Sequence, residues 1–269
     1  MGERRPAPIG REVESALIAA LDDAAGLARR LAALRELDGY VLSPRAEERI
    51  ADDYLDTADA RLGAKRVALR VRRLDGVPRL TLKGPTERRA GAASGRLELE
   101  QPWSPAAAGR ALRALADLDI PLARRTASRA WRKPEDFISA LGLALIQRRE
   151  TLRRPRDVRD RGGASDPPLA ELALDTVSYR IGRRKVRLFE VEVEAKRRSG
   201  VAAADRVATL LIERWGSGLR VWRHSKLATG LALEALEREG KLAASLSPGG
   251  WLTPKGIDLL ARRLAREPG

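Results

Sequence analysis

Apolar and charged positions alternate along the chain in a series of short segments, and this period-two pattern is the main structural signal it carries. Arg11 to Ala16 sets Glu12 and Glu14 on one side of Val13 and reads as a strand. Further strands are expected at 51–56 (ADDYLD), 68–74 (ALRVRRL), 79–83 (RLTLK) and 96–103 (RLELEQPW), then at 144–152, 170–179 and 185–196. Asp75-Gly76-Val77-Pro78 and Gly182-Arg183-Arg184 supply turn chemistry for two hairpins. Helical spacing takes over behind Asp22-Asp23, where Leu27, Leu31 and Leu34 repeat within 24–37, and again over 105–118, 134–141, 202–215 and 225–239. Thr253-Pro254 opens a last helix over 255–266, with proline at a position where the helix needs no N–H. The Gly/Pro-rich stretch 155–168 reads as a mobile loop within a main domain over 1–239, followed by a C-terminal helical extension over 240–269.

Side chains two apart on a strand share a face. The alternation therefore produces charged rows: Glu12/Glu14, Arg70/Arg72, Thr81/Lys83, Arg96/Glu98/Glu100, Gln147/Arg149 and Glu190/Glu192/Glu194. On one half-exposed sheet such a row simply meets water. Six of them together also suit the walls of a closed barrel with a polar interior, which has no unpaired edges.

Charge narrows the partners. Lys plus Arg number 52 against 37 for Asp plus Glu, a formal net charge of +15. Part of the arginine excess matches the bias of a GC-rich genome, but the remainder favours polyanions. With no cysteine and a single histidine, His224, thiol chemistry, zinc fingers and multi-histidine metal sites are excluded. Any metal must be held by carboxylates, which suits hard ions such as Mg²⁺ or Mn²⁺. The first residues carry charge without an apolar segment and no apolar run is long enough to span a bilayer, so a cytoplasmic protein without a membrane role is expected. His224 reads as a helix-cap or surface residue.

The motifs are more specific than the charge. YLDTADARLGAKRVALRVR at 54–72, LTLKGP at 80–85 and RLELE at 96–100 combine with EVE at 12–14, EVEVE at 190–194 and SKLATGLAL at 225–233. In this order, over about residues 11–233, the chain resembles the CYTH domain, the superfamily also called triphosphate tunnel metalloenzymes. The resemblance implies an α+β fold: an eight-stranded antiparallel β-barrel, the tunnel, with helices packed on its outside. It implies substrate-binding roles for Arg70, Arg72, Lys83, Arg149 and Lys226, with Glu98 and Asp175 organising the basic wall. Glu12, Glu14, Glu190 and Glu192 match its metal-binding carboxylates, and Glu12, Glu14 and Glu192 its catalytic ones; Glu194 continues the row. The cofactor implied is Mg²⁺ or Mn²⁺ and the substrate a triphosphate or polyphosphate. Two positions depart from the family: Ala16 stands where E-x-E-x-K carries lysine, and Gln147 where many members carry lysine. Arg96, on the face of Glu98, is the substitute expected for the missing lysine charge. Hydrolysis of the terminal phosphate of a triphosphate, inorganic tripolyphosphate first, is the activity expected. The alternatives are a non-catalytic polyphosphate- or nucleotide-binding domain and a class IV-type adenylyl cyclase. No nucleic-acid-binding motif is present and nucleic acid is not required.

Overall fold

A computed structural model of the protein describes residues 14–88, 94–122, 131–162 and 167–266. In chain order the elements are β1 (Glu14–Ala19), α1 (Ala24–Ala33), β2 (Glu36–Leu37), β3 (Tyr40–Pro44), β4 (Glu48–Asp56), α2 (Arg61–Ala64), β5 (Ala68–Leu74), β6 (Val77–Arg88), β7 (Ser94–Pro102) and α3 (Pro105–Asp117). Then follow α4 (Pro134–Leu141), β8 (Ala144–Asp160), β9 (Ala170–Ile181), β10 (Arg184–Ala195), α5 (Val201–Trp215), β11 (Leu219–Val221), α6 (Lys226–Arg238) and α7 (Pro254–Leu264). The class is α+β, with antiparallel strands and seven α-helices among the described residues. Two compact units emerge: one over 51–148, the other over 12–50 and 149–269, with the chain passing between them inside β4 and inside β8.

In the first unit the strand order is β4-β5-β6-β7. Asp75 and Gly76 both take positive φ, +48° and +86°, and Leu74 pairs with Val77, so the β5–β6 turn has two residues rather than four. That geometry suits the right-handed strand twist and lets Val77 and Pro78 join β6. Leu69, Val71, Leu80 and Leu82 line one face and bury against Ala108, Leu112 and Leu115 of α3 and Phe137 and Leu141 of α4. Trp131 is fully buried there, edge-on to Phe137 at 5.3 Å. Ser104 caps α3 by accepting from the Ala107 N–H (3.0 Å), and Pro105 opens the helix.

In the second unit the order is β11-β1-β10-β9-β8, with β3 pairing both β2 and β8. Leu17, Leu172, Leu174, Phe189, Val191 and Val193 bury one face under α1 and α5. Leu27 and Leu31, the apolar stripe of α1, have no exposure, each worth about 1.5–3 kcal/mol of burial. The opposite face is divided. Ile18, Val177, Tyr179, Val186 and Leu188 pack beneath α6 and α7, whereas Arg153, Asp175, Glu190 and Glu192, further along the same strands, carry charge.

Two expectations change, and a third gains detail. Neither run of strands closes on itself, and eleven strands are formed among the described residues, so the pairings do not amount to an eight-stranded barrel. Residues 155–160 of the expected loop belong to β8, where β9 and β3 pair on either side and the Pro155 carbonyl accepts from the Arg45 N–H (3.0 Å); residues 163–166 lie outside the described ones. Finally, Leu242, Leu252, Ile257, Leu260 and Leu264 of the C-terminal segment share one core with Ile18 and Tyr179. That segment also joins β10 beyond the last β1 pair: the Gly250 carbonyl accepts from the Arg187 N–H (2.7 Å), and the Arg187 carbonyl from the Leu252 N–H (3.0 Å).

Gly250 takes φ +76°, and a Cβ there would stand 2.5 Å from the Lys185 carbonyl oxygen. Gly250→Ala is expected to lower stability by about 1–3 kcal/mol in thermal or urea unfolding. Gly162→Ala, where a Cβ meets nothing within 4 Å, is the near-neutral control.

Candidate functional site

The charged face of the first unit is built by strand register. Ala68 pairs with Lys83 and Lys83 with Glu98; Arg70 pairs with Thr81 and Thr81 with Glu100; Arg72 pairs with Arg79. Asp52 of β4, 1% exposed, accepts two hydrogen bonds from Arg72 (2.8 and 3.1 Å) and lies 3.6 Å from Arg70. Arg70 donates to the Tyr54 hydroxyl (3.1 Å). Glu100 accepts from Arg79 Nε (3.0 Å) and from the Thr81 hydroxyl (3.2 Å), and Lys83 lies 2.7 Å from Glu98. Burial works to raise the Glu100 pKa, but Arg72, Arg70 and Arg79 outweigh it and hold the carboxyl below the usual range. Four cations thus face three carboxylates, and the carboxylates fix the guanidiniums in an array suited to phosphate oxygens.

In the second unit the cross-strand row Arg153–Asp175–Glu190 runs over β8, β9 and β10, with Glu192 two residues further along β10. Arg153 holds Asp175 through two hydrogen bonds (2.8 and 2.7 Å) and also bonds Glu192. Lys226 enters this cluster from the first turn of α6. Its ammonium bonds Glu192 and stands 3.0 Å from Asp175 and 3.4 Å from Glu190. Its backbone is positioned from two sides: Ser225 caps the helix by accepting from the Ala228 N–H (3.2 Å), and the Tyr179 hydroxyl donates to the Lys226 carbonyl (3.0 Å). Burial opposes the charge on Lys226, but Glu192, Asp175 and Glu190 hold its pKa well above the ordinary lysine value. Burial likewise opposes the charge on Glu192, and Lys226 and Arg153 hold that carboxyl well below its usual range. Glu190 goes the other way. Burial pushes it up, Lys226 only partly offsets this, and Glu192 and Asp175 add to it. Its Oε1 is buried without a hydrogen-bond partner.

The expected residues are therefore distributed as follows. Asp175, Glu190, Glu192 and Lys226 come together, with Arg149, 1% exposed on the Arg153 face of β8, adding its charge to Glu190 and Glu192. Arg70 and Arg72 share Asp52 and Glu100 in the first unit, and Lys83 pairs with Glu98. Glu12 lies outside the described residues, as do the side chains of Glu14 and Arg96; register places Glu14 opposite Glu194 and Ala16 opposite Glu192. His224 sits edge-on to Trp222 at 5.0 Å, and Ser225 rather than His224 is the cap. Arg153, Asp52 and Arg79 are not among the expected residues, and Glu100 is expected only as a member of a charged row. Arg153 shares parity with Arg149, a signal hidden once the strand is ended at Leu152.

A carboxylate-held divalent ion, implied by the resemblance, has the right donor type here. Half of the expected set, Glu12 and the side chain of Glu14, lies outside the described residues. Among the described residues no group of three or more acidic or histidine side chains is disposed around a metal position. The oxygens of Asp175, Glu190 and Glu192 turn toward Lys226 and Arg153 instead.

Two outcomes follow from this electrostatics. Asp52→Ala leaves the buried Arg70 and the half-buried Arg72 without their shared carboxylate and is expected to cost about 3–5 kcal/mol in urea unfolding, whereas Asp59→Ala, an exposed partner of Arg61, should leave the midpoint unchanged. Because the folded Glu192 pKa is depressed, its stabilisation is present above the unfolded glutamate value of about 4.3 and is lost as pH falls below it. Glu192→Gln should flatten that acid limb in melting temperatures measured from pH 6 to pH 2, to an extent set by about one carboxylate.

Comparison with known proteins agrees with the motifs. The family model of the CYTH domain matches residues 23–217, a span that leaves out Glu12, Glu14 and Lys226. No curated protein sequence matches the chain. Among solved structures, a candidate adenylyl cyclase from Hippeastrum with a dominant triphosphatase activity is 18% identical, over 88% of this chain and 98% of that one, at a TM-score of 0.49. A candidate adenylate cyclase from Bacillus halodurans is 21% identical over 81% and 95%, at 0.48, and a protein from Pyrococcus horikoshii 18% identical over 83% and 99%, at 0.42. On the family match, which spans well over half its length, the chain belongs to the CYTH domain family.

Proposed function

We propose that the protein hydrolyses the terminal phosphate of a triphosphate, inorganic tripolyphosphate first. The observation that carries this reading is the pair of buried, charge-dense strand faces in a chain of the CYTH family. A triphosphate carries about four negative charges near neutrality, and cations already stripped of water and held by carboxylates bind it with little reorganisation. Arg70, Arg72, Lys83, Arg149 and Lys226 are the substrate-binding residues of this reading, and Glu98 and Asp175 hold the two lysines in place. Water attacks the terminal phosphorus in line, the bond to the bridging oxygen breaks, and diphosphate and orthophosphate leave. Glu12, Glu14 and Glu192 are the carboxylates proposed to orient that water, and the unpartnered Oε1 of Glu190 offers a further acceptor. The family is generally dependent on divalent metal, and Mg²⁺ or Mn²⁺ is the cofactor expected. The reading places the chain in the cytoplasm; no helix among the described residues is long and apolar enough to cross a membrane.

One observation favours a second reading, a domain that binds polyphosphate without cleaving it. Ala16, cross-strand from Glu192, brings no cation from β1, and Glu192 is already engaged by Lys226 and Arg153.

The deciding measurement is phosphate release from tripolyphosphate, longer polyphosphates, ATP and thiamine triphosphate, each with Mg²⁺ and with Mn²⁺, and with products checked for cyclic AMP. Tripolyphosphate hydrolysis is expected. Arg149→Gln should lower kcat/KM by about 10- to 100-fold, the loss of one charge-assisted contact. A Glu12→Gln/Glu14→Gln variant should fold and be inactive; undiminished hydrolysis by it removes the catalytic assignment. Tight binding without release under either metal establishes the second reading.

A further inference from the structure

The β9–β10 hairpin turns through RIGRRKVR, residues 180–187, which hold five cations and no acid. Arg180, Arg183, Arg184 and Lys185 are exposed and Arg187 is half-buried. Register sets Arg180 directly opposite Lys185, a like-charge pair that weakens a hairpin. Two acids answer the five cations: Glu237 accepts from Arg184 (3.1 Å) and Glu150 from Lys185 (3.4 Å). Arg180 and Arg183 meet no acid among the described residues. At the end of α6, the helix that carries Glu237, Glu239 is shared by Lys241 (2.7 Å) and Arg263 (3.6 Å), so the surplus continues there. Folding does not call for this charge. Cations often protect a sheet edge, but the backbone of Arg187 is already paired by Gly250 and Leu252. Nor do these cations belong to the site described above. Val177, Tyr179, Val186 and Leu188 separate the hairpin tip from Glu190 on that face of the sheet and are sealed under α6 and α7. Strand alternation turns Arg180, Lys185 and Arg187 to the opposite face.

We propose that this hairpin tip is a docking surface for the phosphate backbone of duplex DNA, held by charge and without regard to base sequence. The proposal is independent of the triphosphatase reading. Four of the five cations are arginine, whose planar guanidinium takes phosphate oxygens in pairs and is weakly hydrated. A duplex presents about one negative charge per 1.7 Å of its axis, so several cations engage at once and release condensed counterions. Residues 180–187 include no aromatic side chain on which unpaired bases could stack, which disfavours a single strand. Ile181 and Val186, the apolar side chains of this run, are buried, so nothing there is available to insert into a lipid surface. An acidic protein would have to present carboxylates at matching positions, whereas phosphates recur along any duplex.

Fluorescence anisotropy of a labelled duplex of arbitrary sequence, titrated with the full-length protein, tests this. Binding should weaken steeply as salt rises. Arg180→Gln/Arg183→Gln/Lys185→Gln should weaken it by about tenfold or more and lower the slope of log K against log salt by about 2–3, since each phosphate contact contributes about 0.9. Arg29→Gln/Lys65→Gln/Arg113→Gln removes the same charge from exposed positions elsewhere and should weaken binding by less than about threefold. Equal losses in the two variants overturn the proposal, as does a wild-type protein that leaves the duplex free. So does binding of polyglutamate or of anionic lipid vesicles through the hairpin residues with no binding of the duplex. Should the hairpin variant not fold, lysine acetylation of the wild type decides, read by mass spectrometry. The duplex should slow labelling of Lys185 severalfold relative to exposed Lys65, and an unchanged ratio overturns the proposal. Phosphate release from tripolyphosphate is scored separately and should be the same in the hairpin variant as in the wild type. A protein that binds duplex but releases no phosphate keeps this inference and removes the triphosphatase reading, and the reverse outcome does the opposite.

Discussion

A carboxylate taken out of water must be met by positive charge, and much of this protein's charged architecture follows from meeting that demand with side chains. Asp52 is met by Arg72 and Arg70, Glu100 by Arg79 and Arg70, and Asp175 and Glu192 by Arg153 and Lys226. Desolvation makes each of these pairs weak as a source of net stability, yet severe when one partner is lost. Pairs of this kind persist where the charges themselves are wanted. Here they keep cations extended and dry on strand faces, which is the state in which a polyanion finds them ready.

The two units meet the demand differently. In the first, four cations outnumber three carboxylates, so the face keeps a positive surplus. In the second, Lys226 and Arg153 contact three carboxylates, with buried Arg149 completing the balance at a distance. Glu190 shows the strain of that arrangement most clearly: it is the acid that is pushed toward its neutral form while its neighbour Glu192 is held firmly ionised.

Much of this was legible in the residues alone. The alternation in ALRVRRL, RLTLK and EVEVE marked strands with a charged face, and β5 begins and ends where the pattern does. The Asp-Gly dipeptide marked the turn, although the pairing of Val77 shortened it. Pro155 looks like a strand stop in the sequence, whereas β8 continues through it with partners on both sides. β2 and β11 are too short to show a period, and YVLSP of β3 does not alternate apolar with charged residues. Which acid holds which cation was invisible for a different reason: Asp52 and Arg72, or Arg153 and Glu192, are brought together by register across strands, and register is a property of pairing rather than of any one segment. The closed barrel is one of two readings that the charged rows allow and the one that the resemblance implies, and the strand pairings among the described residues are open in each unit.

The strand-like addition of Gly250 to Leu252 alongside β10 bears on where this domain ends. The family match stops at residue 217, before α6, α7 and that segment. A fragment cut at this boundary would uncover Val186, Leu188 and Tyr179, bare the backbone of Arg187 at a sheet edge and discard Lys226. Exposed apolar strands with open edges invite association with other chains. Residues beyond the family match thus serve both ends of one face: they cover its hydrophobic end and bring the lysine to its ionic end.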